Sequence, residues 1–243
     1  MRVVSSPLGP VVLLDRPGRR NALTLDLWRA LGARVVELAA QTPGPVYLRG
    51  AGEYFCSGAD LGSLTFARSD EEQAREFVDG VVTCLMQLHL LDREVVAVVE
   101  GGAAGGGVEI MAACDRRVAI GGPRLVFPFG QHGMELDGLT RWRLSGLVGE
   151  REAERLVDGR HVVEAEEALQ LGLFDEQHPT LADLAVAEAS RQARPTAAGR
   201  RFTLPGEELP EAVARASAPM LRAFPPHRTF PDDRAAGSRS ASD

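Results

Sequence analysis

A run of glycine and alanine directly behind a strongly β-favouring segment is the part of the sequence best suited to chemistry. Residues 95–99 (VVAVV) predict a buried strand, residues 101–107 (GGAAGGG) are all glycine or alanine, and a helix is predicted from about residue 107 to 114. Glycine allows close backbone approach, and a helix N-terminus leaves N–H donors free at a positive dipole end. The pattern predicts a site for negative charge, with tight packing of helix on strand as the alternative.

A second loop of small residues could supply another donor to the same site. Residues 55–61 (FCSGADL) follow a short predicted strand over residues 46–48, so an N–H from this loop could converge on the same oxygen. The glycine run has neither the spacing of the dinucleotide-binding G-x-G-x-x-G motif nor that of a P-loop. All 27 basic residues are arginine, which excludes the P-loop lysine and any Schiff-base or general-base lysine.

Composition and charge exclude several classes of function. The chain has 243 residues, of which 44% are hydrophobic, and a formal net charge of −7, whereas a nucleic-acid-binding protein needs a basic face. We find no apolar run as long as a membrane helix and no signal-peptide pattern, so we expect a cytoplasmic protein. The three cysteines form no CxxC pair and are expected to be reduced. The five histidines share no ligand spacing, so we expect no metal.

The elements that must position these loops alternate between strands and helices. Short strands are predicted over residues 3–4, 11–14, 46–48, 95–99 and 117–120. Helices are predicted over residues 21–40, 70–91, 107–114, 151–156, 165–171, 181–194 and 210–224, with Asp70 as the N-cap of the second. This alternation, together with the continuous apolar strands, indicates an α/β architecture.

Four segments, in order along the chain, resemble motifs of the crotonase (enoyl-CoA hydratase/isomerase) superfamily. The first is LDRPGRRNAL at residues 14–23, and the second is the FCSGADL loop at residues 55–61. The third is the strand, glycine run and helix at residues 95–115, and the fourth extends over residues 144–174. Four motifs in the family's order identify the chain as a member of this superfamily over roughly residues 10–178.

The resemblance implies an α/β fold built as a spiral of ββα units with carboxy-terminal helices. Residues 1–178 would form this core, residues 179–224 a helical oligomerisation region and residues 225–243 a disordered tail. The resemblance also implies a homotrimer or hexamer and a coenzyme A thioester as the substrate, with no separate cofactor.

The same resemblance implies which residues bind the thioester. The carbonyl oxygen would lie between the backbone N–H groups of Ala59 and Gly106, an oxyanion hole that stabilises the enolate of the thioester. The coenzyme A part and the neighbouring substrate atoms would contact six further residues, namely Arg20, Ala22, Ser57, Asp60, Leu61 and Gly62.

Hydratases of this family use two glutamates for acid–base chemistry, and this sequence keeps one of them. Glu109 matches the first and lies in the first turn of its predicted helix, where the dipole favours a charged carboxylate and burial opposes it. The position of the second glutamate falls on Phe129, which cannot transfer a proton. Asp137 stands eight residues further on, where some relatives carry a catalytic aspartate, and N-capping of the next helix is the alternative.

Three other residues stand out beside these motifs. Glu94 and Glu100 occupy positions where the family usually has proline and asparagine. His132 is predicted to be packed or solvated rather than catalytic.

The sequence supports three functional hypotheses. The first is an enoyl-CoA isomerase or lyase in which Glu109 and Asp137 move protons around the bound enolate. The second is an enoyl-CoA hydratase that works with Glu109 alone. The third is a catalytically weak subunit that binds acyl-CoA or serves as a scaffold, a hypothesis that the loss of a carboxylate at Phe129 favours and the intact glycine run opposes.

Overall fold

A computed structural model describes residues 1–191, 202–222 and 224. The strands within these residues are β1 Arg2–Ser6, β2 Gly9–Leu14, β3 Val46–Gly50, β4 Val95–Ala104, β5 Arg116–Phe127, β6 His161–Val163 and β7 Glu176–His178. They form one sheet in the order β1-β2-β3-β4-β5-β6, with β7 beside β5. Strands β2 to β5 pair in parallel, as do β5 and β7, whereas β1 and β6 are antiparallel to their neighbours.

Several of the described helices begin after a residue whose side chain caps the N-terminus. Their bounds are α1 Leu25–Gln41, α2 Leu61–Ala67, α3 Glu71–His89, α4 Gly106–Ala113, α5 Gly138–Val148, α6 Glu150–Val157, α7 Ala165–Leu171, α8 Leu181–Ala189 and α9 Leu209–Arg222. The side chain of Asp70 accepts a hydrogen bond from the Gln73 N–H at 2.8 Å, which satisfies a donor that the helix itself leaves free. Asp70 is therefore the N-cap of α3, as predicted.

Both faces of the central strands are covered, as their continuous apolar sequence predicts. Val96 and Val98 of β4 lie in a smaller cluster with Leu184 of α8. Val95 and Val99, which point to the opposite face, belong to the main core with side chains of α1, α3 and α4. The sheet therefore separates the helices that carry the site from α8 behind it.

Strand β4 is irregular at its glycines, and two other segments of the chain lie against its end. Its register with β5 shifts just after Glu100. Beyond that shift, isolated parallel bridges join Cys56 to Ala103 and Leu23 to Ala59. The segments in front of α1 and α2 are thereby held against the end of β4, where α4 begins.

The α/β prediction is confirmed, but the strands are longer than predicted. Strand β4 continues to Ala104 rather than ending at residue 99, and β5 covers Arg116–Phe127 rather than residues 117–120. Glycine weakens an isolated strand, but here residues 102–104 of β4 pair with residues 124–126 of β5. Pairing between distant segments therefore overrides the local preference.

One helix was not predicted, and another is shorter than predicted. Helix α2 was not predicted and begins after Asp60, whose side chain accepts a hydrogen bond from the Gly62 N–H at 3.1 Å. The helix predicted over residues 181–194 ends at Ala189, and residues 192–194 lie outside the described residues. The tail predicted over residues 225–243 lies outside them as well.

Candidate active site

Glycines allow the two predicted loops to pack backbone against backbone. A Cβ atom on Gly58 would lie 2.7 Å from the backbone nitrogen of Gly106, and one on Gly107 would lie 2.2 Å from the carbonyl oxygen of Cys56. Gly58 also has a φ of +91°, a left-handed conformation that side chains rarely adopt. Larger residues here would force the loops apart.

The N–H groups of Ala59 and Gly106 are directed by regular backbone geometry. The Leu23 N–H donates to Gly58 O and the Asp60 N–H donates to Leu23 O, both at 2.8 Å. Since successive N–H groups of an extended segment point to opposite sides, the N–H of Ala59 points away from Leu23. Gly106 opens α4, so its N–H is one of those without an intrahelical acceptor.

Both residues line a single cleft of about 270 Å³. Of the residues that the family resemblance assigns to the site, six line it, namely Arg20, Ser57, Ala59, Leu61, Gly106 and Glu109. The remaining wall is largely apolar and comes from α1, α2, α3, α9, the end of β5 and the segment after it. Its apolar residues are Trp28, Leu64, Phe77, Val81, Val126, Pro128, Phe129, Met134 and Met220. The cleft suits an apolar group attached to one polar, oxygen-bearing centre.

Three predicted binding residues shape the loops instead of lining this cleft. Asp60 caps α2 and accepts a 3.3 Å contact from the Arg16 guanidinium, which also donates to Ala22 O at 2.7 Å. Asp60 and Gly62 line a neighbouring groove beside α2. Ala22, Asp60 and Gly62 therefore hold the loop that presents Ala59.

Glu109 is a buried carboxyl group at the wall of the cleft. It lies in the first turn of α4 with a 4% exposed side chain, and its Oε1 has no hydrogen-bond partner among the described residues. Burial raises the pKa of Glu109 well above its usual range, and the nearby charge of Asp137 raises it further. Both effects favour the neutral, protonated form of Glu109 over the carboxylate.

Asp137 lies behind Glu109, fully buried and outside the lining of the cleft. It is the N-cap of α5, and its Oδ1 accepts a hydrogen bond from the Thr140 N–H at 3.0 Å. Its Oδ2 has no hydrogen-bond partner among the described residues. Burial raises the pKa of Asp137, although the hydrogen bonds from Thr140 oppose the rise. Asp137 therefore caps α5, and its charge also raises the pKa of Glu109.

Several lining residues could not be identified from the sequence. His132, predicted to be packed or solvated, lines the cleft, as do Tyr54 and Arg160. Phe129 also lines it, so its ring lies at the wall where the missing glutamate was expected. Only a chain turn that brings residues 128–134 beside residue 160 places these side chains together, and no local pattern encodes that turn.

The described residues contain neither a cluster of metal-binding side chains nor a helix able to span a membrane. Across residues 1–191, 202–222 and 224, no group of three or more His, Cys, Asp or Glu side chains could hold a metal ion. Within the described residues no helix combines the length and apolarity needed to cross a membrane.

Comparison with known proteins gives the same family from sequence and from structure. A family model described as enoyl-CoA hydratase/isomerase matches residues 10–201. The structure resembles an enoyl-CoA hydratase of Bacillus halodurans with a TM-score of 0.76 and 24% identity, covering 92% of this chain and 94% of that one. An enoyl-CoA hydratase of Bacillus anthracis gives a TM-score of 0.64 at 29% identity, covering 78% and 76%. The crotonase-type fold predicted from the motifs is confirmed.

Two kinds of relatives are similar in sequence. Ethylmalonyl-CoA decarboxylase of Danio rerio is 32% identical over 178 residues, which is 72% of this chain and 58% of the relative. A protein of Mycobacterium tuberculosis named probable enoyl-CoA hydratase is 32% identical over 181 residues, 74% of this chain and 71% of the relative. The chain spans little more than half the length of the decarboxylases that it matches, 52% for that of Mus musculus.

Proposed function

The chain belongs to the enoyl-CoA hydratase/isomerase family, and we propose that it is a lyase that removes CO₂ from an α-carboxyacyl-CoA thioester. The enolate left behind is held at the N–H groups of Ala59 and Gly106 and is protonated at Cα by Glu109. The decarboxylase relatives support this choice of reaction. Family members bind acyl-CoA substrates, and the specific reaction is the proposed part.

The observation that carries the proposal is the position of Glu109, the one carboxyl side chain among the described residues that line the cleft. It is buried there, its Oε1 has no hydrogen-bond partner among those residues, and burial raises its pKa. An isomerase or a classical hydratase must first use a base, which removes a proton from the substrate or from water. Decarboxylation makes the enolate by breaking a C–C bond, so it needs a proton donor and no base. A neutral, buried carboxyl group fits that requirement.

The reaction balances without any further reactant except water. The electron pair of the bond between Cα and the carboxylate carbon moves into the thioester and forms the enolate as CO₂ leaves. Cα then takes the proton of Glu109, and the resulting carboxylate regains a proton from water. Each N–H donor to the enolate oxygen contributes about 10²–10³ in rate in comparable oxyanion holes.

Asp137 acts through Glu109 in this proposal. Because it is buried behind α4 and does not line the cleft, its charge keeps Glu109 protonated between turnovers. The isomerase hypothesis requires Asp137 to exchange a proton with the substrate, and the same experiments separate the two roles.

The test is turnover in D₂O with two substrates of equal chain length, ethylmalonyl-CoA and crotonyl-CoA. We expect CO₂ release from the first and one deuterium at Cα of the butyryl-CoA product, as measured by mass spectrometry. No CO₂ release together with hydration of crotonyl-CoA would replace the lyase by a hydratase. Tight binding of both thioesters without turnover would favour the scaffold hypothesis.

A hydratase that works with Glu109 is the second candidate function. His132 lines the cleft and could orient a water molecule, and the Mycobacterium relative carries a hydratase name. The absence of a carboxylate at Phe129 weighs against efficient hydration. Introducing the family's carboxylate by Phe129→Glu should then raise hydration of crotonyl-CoA.

Assembly and location are also parts of the proposal. We propose a homotrimer or hexamer because apolar side chains are exposed on the isolated chain, including Trp142 at 41% and Val186 at 75%. Light scattering at micromolar concentration measures the assembly, and a monomer would contradict it. The cytoplasmic location stays a prediction from the sequence.

A further inference from the structure

Arg160 is a cation at the cleft with no hydrogen-bond or ion-pair partner among the described residues. Its side chain lines the cleft and is exposed to solvent. It makes no hydrogen bond or ion pair with any part of the chain that the structure describes. Other exposed arginines, such as Arg155 and Arg215, pair with a carboxylate, whereas the guanidinium of Arg160 is available to a ligand at the wall of the cleft.

The backbone on either side of Arg160 is held firmly. The Gln131 N–H donates to Gly159 O at 2.9 Å, and a Cβ atom on Gly130 would lie only 2.0 Å from the Gly159 nitrogen. On the other side, His161 is paired with Phe127 in the ladder between β5 and β6. The backbone at Arg160 is therefore held beside the segment that carries Phe129, which lines the same cleft.

A second cation that lines the cleft, Arg20, belongs to a different segment of the chain. Its guanidinium is 5.8 Å from the centre of the Tyr54 ring, and it belongs to the loop that the resemblance assigns to coenzyme A. Neither cation forms an ion pair with Glu109, the carboxyl group among the described residues that line the cleft. Two cations on two different segments match a ligand that carries two anionic groups.

We propose that Arg160 binds the carboxylate of the acyl group, so that the cleft selects carboxylated acyl thioesters over plain ones. The inference rests on the proposed function and names the residue that determines its substrate class. A guanidinium can form two parallel hydrogen bonds to a carboxylate. Arg160 is thus a specificity-determining residue, distinct from the proton donor.

The exposure of Arg160 determines which kinetic constant depends on it. An ion pair in contact with water is worth a factor of about two to five in binding, and salt weakens it. The carboxylate loses its charge as CO₂ leaves, so the pair stabilises the bound substrate more than the transition state. Losing Arg160 should therefore raise KM for the carboxylated substrate and leave kcat unchanged or slightly higher.

The experiment compares Arg160→Gln with Arg141→Gln, a matched loss of one exposed charge on α5 outside the cleft lining. We expect Arg160→Gln to raise KM for ethylmalonyl-CoA about two- to fivefold at low salt, with kcat retained and the increase abolished near 1 M salt. Inhibition by butyryl-CoA, which lacks the carboxylate, should be unchanged. Arg141→Gln should match the parent in all three measurements.

Two outcomes would overturn the inference. Equal weakening of ethylmalonyl-CoA and butyryl-CoA would assign Arg160 to a phosphate of coenzyme A. No weakening of either would remove it from recognition altogether. If the protein proves not to decarboxylate, equilibrium dissociation constants of the two thioesters, measured with and without Arg160→Gln, still decide the inference separately from the proposed function.

Discussion

Two groups of acids, a buried one at the cleft and a partly buried one behind the sheet, have opposite pKa shifts. Glu109 and Asp137 have raised pKa values. Behind the sheet, Glu176 and Glu188 have lowered ones, and the pKa of Glu188 falls to about 2. Burial alone would raise the pKa in both places, so the difference comes from the neighbouring groups.

The acids behind the sheet surround one buried arginine. Arg116, with a 5% exposed side chain, donates to both carboxylate oxygens of Glu188 at 2.7 and 2.8 Å, to Glu176 at 2.5 Å and to Glu94 at 3.1 Å. Tyr47 donates a further hydrogen bond to Glu188. These bonds fasten β7 and α8 to the sheet, and they explain why glutamate replaces the usual proline at position 94.

The difference lies in the arginine contacts: Arg116 pairs with the carboxylates behind the sheet, whereas no arginine among the described residues pairs with Glu109. Arg116 stabilises charged carboxylates, so Glu188 contributes stability that is present above its unfolded pKa near 4.5 and is lost as the pH falls towards 2. Glu109 has no arginine partner among the described residues, and its pKa is raised. A proton donor requires this unpaired environment.

The largest effect should follow from removing the proton of Glu109. Glu109→Gln keeps the shape of the side chain but cannot release a proton to Cα, so turnover should fall roughly 10²–10⁴-fold, whereas acyl-CoA binding should persist. The measurement is steady-state turnover together with a dissociation constant for butyryl-CoA. Full activity in this variant would mean that another group, such as His132, protonates the enolate.

Removing the arginine behind the sheet should affect stability instead. Arg116→Met leaves three carboxylates without their shared partner, which should cost about 3–5 kcal/mol of the free energy of unfolding. Denaturant unfolding measures this change. Arg155→Met, which breaks the exposed pair with Glu152, is the control and should leave stability nearly unchanged. An equal loss in both variants would contradict the structural role of the buried cluster.

Removing the charge behind Glu109 should move the pH profile. Asp137→Asn keeps an N-cap for α5 but deletes the negative charge that raises the pKa of Glu109. As a proton donor, Glu109 loses activity when the pH rises through its pKa, so the alkaline limit of kcat should move to lower pH. Asp70→Asn, a matched substitution at the N-cap of α3, should leave the profile unchanged. An unchanged profile in Asp137→Asn would reduce Asp137 to a cap.

The smallest effect should be a gain of stability from Glu109→Gln. A buried acid with a raised folded pKa contributes stability that is complete below its unfolded pKa and is lost as the pH rises through the folded pKa. The amide avoids this loss, so Tm should exceed that of the parent at pH 8, by about 2–4 °C for each kcal/mol gained. The difference should shrink below pH 4.5, and a difference independent of pH would point to packing instead.

The sequence predicts the elements and motifs whose information is local. The β-favouring strand, the glycine run at residues 101–107 and the Asp70 cap each depend on neighbours within a few residues. The structure has a strand at residues 95–99, and Asp70 caps α3, as predicted. Strand ends are less predictable, because the pairing of residues 102–104 with residues 124–126 joins segments that are distant in sequence.

The sequence by itself determined the family, the two backbone donors that we propose for the enolate, and the loss of a carboxylate at Phe129. Tertiary structure decided which side chains share the cleft, since Arg160 reaches it only through the contact between Gly130 and Gly159. Tertiary structure also decided the raised pKa of Glu109. A pKa depends on burial and on charges from every direction, and those neighbours are brought together only by the folded chain.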